Sequence, residues 1–312
     1  MRAGLEGTLS WGQHFAHARL RTVILPRQKV VYVPMSKAGS TSLLWLFAEI
    51  AGYQREHFHG SLGRAVSQEM TIHDVNAWGS RHRWKDLPPR TRDRVARDDS
   101  WLRLTTVRDP ASRVWSAWQS KLLLRESSIA ENFTDRSWFP RVPRSPEDVL
   151  EDFSRFVKSL AEPPGLRPID VHWAPQTDIL QGAVPVNHVG RFEKMNEVID
   201  VLRDRLGPIV DRLERPRENS SLLRYDQGVF DDEGVEIINE VYARDFAELG
   251  YPPLRHTSAA LASWKAHTAS MLPAIGGYIS RHQRVARLHG LMKELTTPPD
   301  RVEAAPVTRD MA

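Results

Sequence analysis

Val30-Val31-Tyr32-Val33-Pro34-Met35-Ser36-Lys37-Ala38-Gly39-Ser40-Thr41-Ser42-Leu43-Leu44 is a β-prone run that stops at proline, turns through small residues around one lysine, and resumes as an apolar helix. A strand, a loop and a helix N-terminus in that order bring backbone N–H groups together, with the positive end of the helix behind them. Such a junction is a cradle for an anion. The order G-x-x-x-x-G-K-[ST] of ATPase phosphate loops is missing, because Lys37 precedes Gly39. The stretch therefore points to a nucleotide-like anion and a transferase, and away from an ordinary ATPase.

A second strand-to-helix junction repeats the design. Trp101 to Val107 reads as a buried strand and runs into Arg108-Asp109-Pro110-Ala111-Ser112-Arg113-Val114-Trp115-Ser116-Ala117-Trp118-Gln119-Ser120-Lys121, with Pro110 in the first helical turn, where its missing N–H costs nothing. Arg108 closes the strand, and Ser116 falls three residues after Arg113, on roughly one helix face. An arginine fork with a serine hydroxyl suits a terminal phosphate. Trp115 and Trp118, at helical spacing, read as packing residues.

Lys37-Ala38-Gly39-Ser40-Thr41-Ser42 resembles the 5′-phosphosulfate loop of sulfotransferases, enzymes that use 3′-phosphoadenosine 5′-phosphosulfate. The R-D-P-x-x-R-x-x-S pattern from Arg108 to Ser116 resembles their 3′-phosphate motif. Further segments are similar to the carbohydrate (type 2) branch. These are Asp170-Val171-His172-Trp173-Ala174-Pro175-Gln176, the strand from Asn187 ending in Gly190-Arg191-Phe192-Glu193, the loop Arg217-Glu218-Asn219-Ser220-Ser221, and the closing helix from Ile237 to Tyr251. The match runs in order over residues 29 to 253. Eukaryotic members carry cysteines and a membrane anchor. This chain has no cysteine, so the resemblance is to a soluble, bacterial-type member.

The resemblance implies a P-loop-like three-layer α/β/α domain with a central parallel sheet. It places the cosubstrate on Lys37, Ala38, Gly39, Ser40, Thr41, Ser42, Arg108, Arg113 and Ser116. Lys37 would stabilise the leaving phosphate, no metal is required, and a histidine would take the acceptor proton. His73 is the first candidate, with Asp74 or another carboxylate to hold its tautomer, and His172 the second. Glu56, His57 and His59 are further candidates. The acceptor would be a carbohydrate hydroxyl or that of another small molecule.

Composition fits a soluble enzyme: 312 residues, 41% hydrophobic and 26% charged, net charge +4. The basic residues are interspersed with acids, which argues against a nucleic-acid block. Without cysteine, disulfides are excluded. Met1 to Glu6 does not read as a secretory signal and no apolar run is long enough to span a bilayer, so a cytoplasmic protein is expected. Residues 1–28 read as a lead-in with a helix at Trp11 to Arg19, 29–253 as the main domain, 254–296 as a helical extension suited to packing or homodimer formation, and 297–312 as a disordered tail. Within the domain, helices are expected over 40–51, Asp148 to Leu160 and Glu193 to Leu206, and a strand over Val186 to Val189. The stretch 54–100 is irregular and charged, and 126–146 reads as an acceptor-side loop. A P-loop-like kinase and a basic nucleic-acid-binding module remain as alternatives. The kinase predicts a carboxylate after the second strand, where Arg108 stands.

Overall fold

The computed structural model describes residues 19–64, 67–163, 166, 168–212, 221–257 and 261–296. The helix read at Trp11 to Arg19 lies outside these but for its last residue, and residues 217–220 and 297–312 lie outside them altogether.

Four strands form one sheet in the order β1-β2-β3-β4: Val23–Leu25, Val30–Val33, Leu102–Val107 and His188–Arg191. β2, β3 and β4 are mutually parallel, as expected, with Val31 opposite Arg103 and Thr106 opposite Gly190. β1 is antiparallel to β2. It lies in the stretch read as lead-in, where three residues are too few to show a period. The turn back into β2 places Lys29 at φ 54.

Alternation along β2 builds two of the three layers. Val30 and Tyr32 face helix α1 (Ser40–Ile50) and, beyond β4, helix α6 (Met195–Leu206), packing with Leu43, Phe47, Val198 and Leu202. Val31 and Val33 face the opposite way, toward Trp84, Val95 of α2 (Pro89–Arg97) and Ile179 of α5 (Gln176–Gln181). α2 falls in the stretch read as irregular; its single buried residue, Val95, leaves no stripe to read.

A third core gathers where β3 ends. Trp115 and Trp118 of α3 (Pro110–Trp118) are fully buried against Phe153 of α4 (Pro146–Ser159), with ring centroids 4.8 and 5.0 Å apart. α4 starts where its sequence dictates: Ser145 and Asp148 form a reciprocal capping box and Pro146 occupies the first turn. Trp138 is also buried, against Phe156, so the 126–146 loop turns its aromatic residues inward. α7 (Asp232–Val241) and α8 (Ala243–Leu249) close this core. α9 (Leu261–Thr296) shares it through Trp264, Ile275 and Ile279, while Leu288, Leu291, Met292 and Leu295 in its last turns are exposed.

Gly190 is required by packing. A Cβ there would lie 2.4 Å from Cγ2 of Val198 on α6. Gly190→Ala is therefore expected to destabilise the fold by about 1–3 kcal/mol through overpacking. Denaturant unfolding measures this, and an unchanged midpoint would contradict the packing described.

Candidate active site

Three consecutive carbonyls behind the β2–α1 loop are drawn toward the sheet. Ser36 O accepts from Arg113 Nε (3.0 Å), Lys37 O from Arg108 Nη1 (3.3 Å) and Ala38 O from Thr106 Oγ1 (2.7 Å). Lys37 (φ 67) and Gly39 (φ 81) adopt the left-handed conformation on either side of Ala38. A lysine at positive φ is uncommon and is held there by its surroundings. At Gly39 the positive φ favours glycine, and a Cβ would also press on Met195 Cε at 2.9 Å, the movable end of a flexible side chain. No side chain caps α1, which leaves the first-turn N–H groups of Ser40, Thr41 and Ser42 for a ligand.

The β3–α3 junction is equally fixed. Asp109 caps α3 by accepting from Ser112 N (2.8 Å), and Asp109 N donates to Glu193 Oε1 (2.9 Å). Tyr251 donates to the other oxygen of Glu193 (2.8 Å). Arg108 exchanges two backbone hydrogen bonds with the Gln176 amide (2.9 and 2.8 Å) and lies 4.7 Å over the Phe192 ring. Its Nε donates to Ser112 Oγ (3.0 Å) and its Nη1 to Lys37 O, so among the described residues Nη2 alone has no partner. Ser116 is buried, and Ser221 donates to its hydroxyl (3.3 Å).

Arg113 and Ser116, paired by their spacing in the sequence, make different contacts in the structure. Arg113 is 0% exposed, and its three nitrogens donate to Ser36 O, Ala174 O (2.7 Å) and Val171 O (2.9 Å). It ties the loop after β2 to the segment before α5. That segment is held from the other side by buried Asp245, which accepts from Gln176 N, Thr177 N and Thr177 Oγ1, each at 2.8 Å, and by Tyr242, which donates to Trp173 O (2.5 Å). The motif residues thus form one interlocked frame around the two junctions.

Inside the frame lies a group of charges. Half-buried Lys37 donates through Nζ to Ser120 Oγ (2.6 Å). Burial, then the positive charge of Lys121 and those of Arg108 and Arg113, push its pKa down to about 7 against the pull of Glu126. Lys121 and Glu126 form a buried ion pair. Lys121 sits on a π-helical turn, Gln119–Leu123, a distortion found often at functional sites. His73 Nε2 meets Thr41 Oγ1 at 2.9 Å, and Arg21 reaches His73 O (3.4 Å). Burial and the charges of Arg21, Lys121, His172 and Lys37 drive the His73 pKa well down. Asp74 accepts from Asn76 N.

His172 is paired with a carboxylate. Its Nδ1 hydrogen-bonds Asp170 Oδ1, whose oxygen also accepts from His172 N (2.9 Å). Burial and Lys121 push the imidazole down to about 4, outweighing Asp170 and Glu126. Burial raises the Asp170 carboxyl, but His172 outweighs it and holds it at about 2. At neutral pH the ring is neutral, and because a carboxylate only accepts, Nδ1 carries the hydrogen and Nε2 the lone pair.

Lys37, His73 and His172 are therefore brought together. His57, by contrast, hydrogen-bonds Ala77 O (2.7 Å) and His59 meets Gln68 (2.9 Å). Ser120, Glu126 and Arg21 join the site without having been singled out, since no motif marks them. Among the described residues there is no group of three or more His, Cys, Asp or Glu placed to hold a metal, and no helix long and apolar enough to cross a membrane. Residues 20–252 match the family model described as Sulfotransferase family. No curated protein and no solved structure matches the chain.

Proposed function

We propose, from the premise that this chain belongs to the sulfotransferase family, that it transfers the sulfuryl group of 3′-phosphoadenosine 5′-phosphosulfate in line to an acceptor hydroxyl, that of a carbohydrate or of another glycosylated or lipid small molecule. The observation that carries this reading is the pinned loop. With the carbonyls of Ser36, Lys37 and Ala38 tied back, the N–H groups at the start of α1 and the Lys37 ammonium are left for the 5′-phosphosulfate. Arg108 Nη2 and Ser116 hold the 3′-phosphate. Arg113 acts as a positioning residue that keeps the two ends in register.

In the transfer, the bond from sulfur to the bridging oxygen breaks as the acceptor oxygen bonds to sulfur. Charge accumulates on the leaving phosphate, where Lys37 and the helix N-terminus stabilise it. The acceptor proton goes to a histidine. His172 suits this step better than His73, because Asp170 fixes its tautomer and leaves Nε2 with a lone pair. His73 holds Thr41 at the start of α1. Positioning and electrostatics supply the catalysis, by analogy with phosphoryl transfer. The cysteine-free chain suits a reducing compartment, and the cytoplasm is our reading of its site of action.

Incubation with donor carrying labelled sulfate and a panel of sugar, glycolipid, phenol and amine acceptors tests this. Label is expected on a hydroxyl acceptor, with chelator present. Phosphate transfer from ATP with no sulfate transfer to any acceptor would overturn it.

A further inference from the structure

From Leu249 to Lys293 the chain holds no aspartate or glutamate, although 39 of its 312 residues are acidic. That run takes in nearly all of α9, whose single acid, Glu294, stands in its last turn. Lys265, Arg281, Arg284, Arg287 and Lys293 belong to the same helix. Elsewhere in the chain the two signs are interspersed, so α9 is its one long cationic segment.

The two faces of α9 differ. Ile275, Ile279 and His282 are buried, and His282 Nδ1 donates to the carbonyl of Leu124 (2.6 Å), the residue that ends the π-helical turn carrying Lys121. On the opposite face Arg281, Arg284, Leu288, Leu291 and Leu295 recur at alternating intervals of three and four and form one exposed stripe, with exposed Arg287 beside it. The three leucines are 59%, 55% and 86% exposed, too much apolar surface in one line for an ordinary solvated helix end. Arg281 lies in the field of Glu69.

The order of the stripe, arginines and then leucines, selects its partner. Pairing with a second copy would set arginine against arginine or against leucine, and Glu294 is the only carboxylate the helix could bring to answer them. A nucleic acid would satisfy the arginines and leave the leucines against phosphates. An anionic bilayer satisfies both, with the guanidinium groups at the lipid phosphates and the leucines at the boundary with the acyl chains.

We propose that the exposed face of α9 from Arg281 to Leu295 docks on a membrane surface rich in anionic phospholipid, as a helix lying in the interface. Because Ile275, Ile279 and His282 seat the preceding turns in the core and on the Leu124 carbonyl, docking would fix the catalytic domain rigidly to that surface. This docking is independent of the sulfuryl-transfer reading and survives its failure.

Co-sedimentation of the full chain with vesicles tests it, using phosphatidylcholine alone and equal parts of phosphatidylcholine and phosphatidylglycerol. Binding is expected only to the mixed vesicles and should weaken as salt is raised. Combined Arg281→Gln, Arg284→Gln and Arg287→Gln should lower the affinity about a hundredfold. Combined Leu288→Gln, Leu291→Gln and Leu295→Gln should lower it about tenfold or more. Both variants should keep the wild-type thermal midpoint, since the substituted side chains are exposed. Absence of binding to the mixed vesicles, equal binding to both kinds, or binding that either variant leaves unchanged would overturn the proposal. So would a dimer seen by light scattering that the leucine variant abolishes, which would give the face to a second copy.

Discussion

Lys37→Ala is expected to lower turnover by about a hundred- to a thousandfold, the range seen when one preorganised donor to a developing oxyanion is removed. The N–H groups at the start of α1 remain, so donor affinity should fall much less than kcat. The lysine is also expected to set the alkaline limb of kcat/KM. Stabilising the leaving phosphate needs the ammonium form, and its pKa of about 7 means that this form is lost as pH rises through neutrality. Lys37→Arg keeps the charge at all these pH values, so whatever activity it retains should show no alkaline limb near 7. A pH profile of the wild type and the arginine variant measures this, and an unmoved limb would assign it to another group.

His172→Ala is expected to cost about a hundred- to ten-thousandfold in kcat, the usual worth of a positioned general base. The working form is the neutral ring, so activity should fall as pH drops toward about 4 and should have no acid limb near 6.5. Asp170→Asn should reproduce much of the loss, because an amide can turn its N–H toward Nδ1 and impose the other tautomer. His73→Ala is expected to act differently. It removes the contact to Thr41 and should raise the KM for the donor more than it lowers kcat. If His73→Ala instead abolishes turnover while His172→Ala leaves it intact, the two roles are reversed.

The two junctions were legible because local chemistry decides them. β-branched runs end at Pro34 and Arg108, Gly39 supplies a left-handed turn, and Pro110 opens a helix that Asp109 caps. The destinations of long side chains were not legible. The three nitrogens of Arg113 find carbonyls 58 to 77 residues away in sequence, and nothing in R-x-x-S spacing distinguishes that clamp from a phosphate ligand. Ser120 and Arg21 reach Lys37 and His73 by tertiary placement alone. Likewise α9 reads as an appendage because its sequence match ends before it, yet Trp264 stands in the core and donates to Arg224 O.

The claim that two anion-binding junctions form a single clamp for a 3′-phosphorylated nucleotide is tested most directly by unfolding the protein with and without adenosine 3′,5′-bisphosphate. ATP with magnesium and duplex DNA serve as the comparisons. The bisphosphate alone is expected to stabilise strongly, by about 2.7 kcal/mol at a hundredfold excess over Kd, with the midpoint still rising as concentration increases. No shift with the bisphosphate, or an equal shift with ATP and magnesium, would contradict the account.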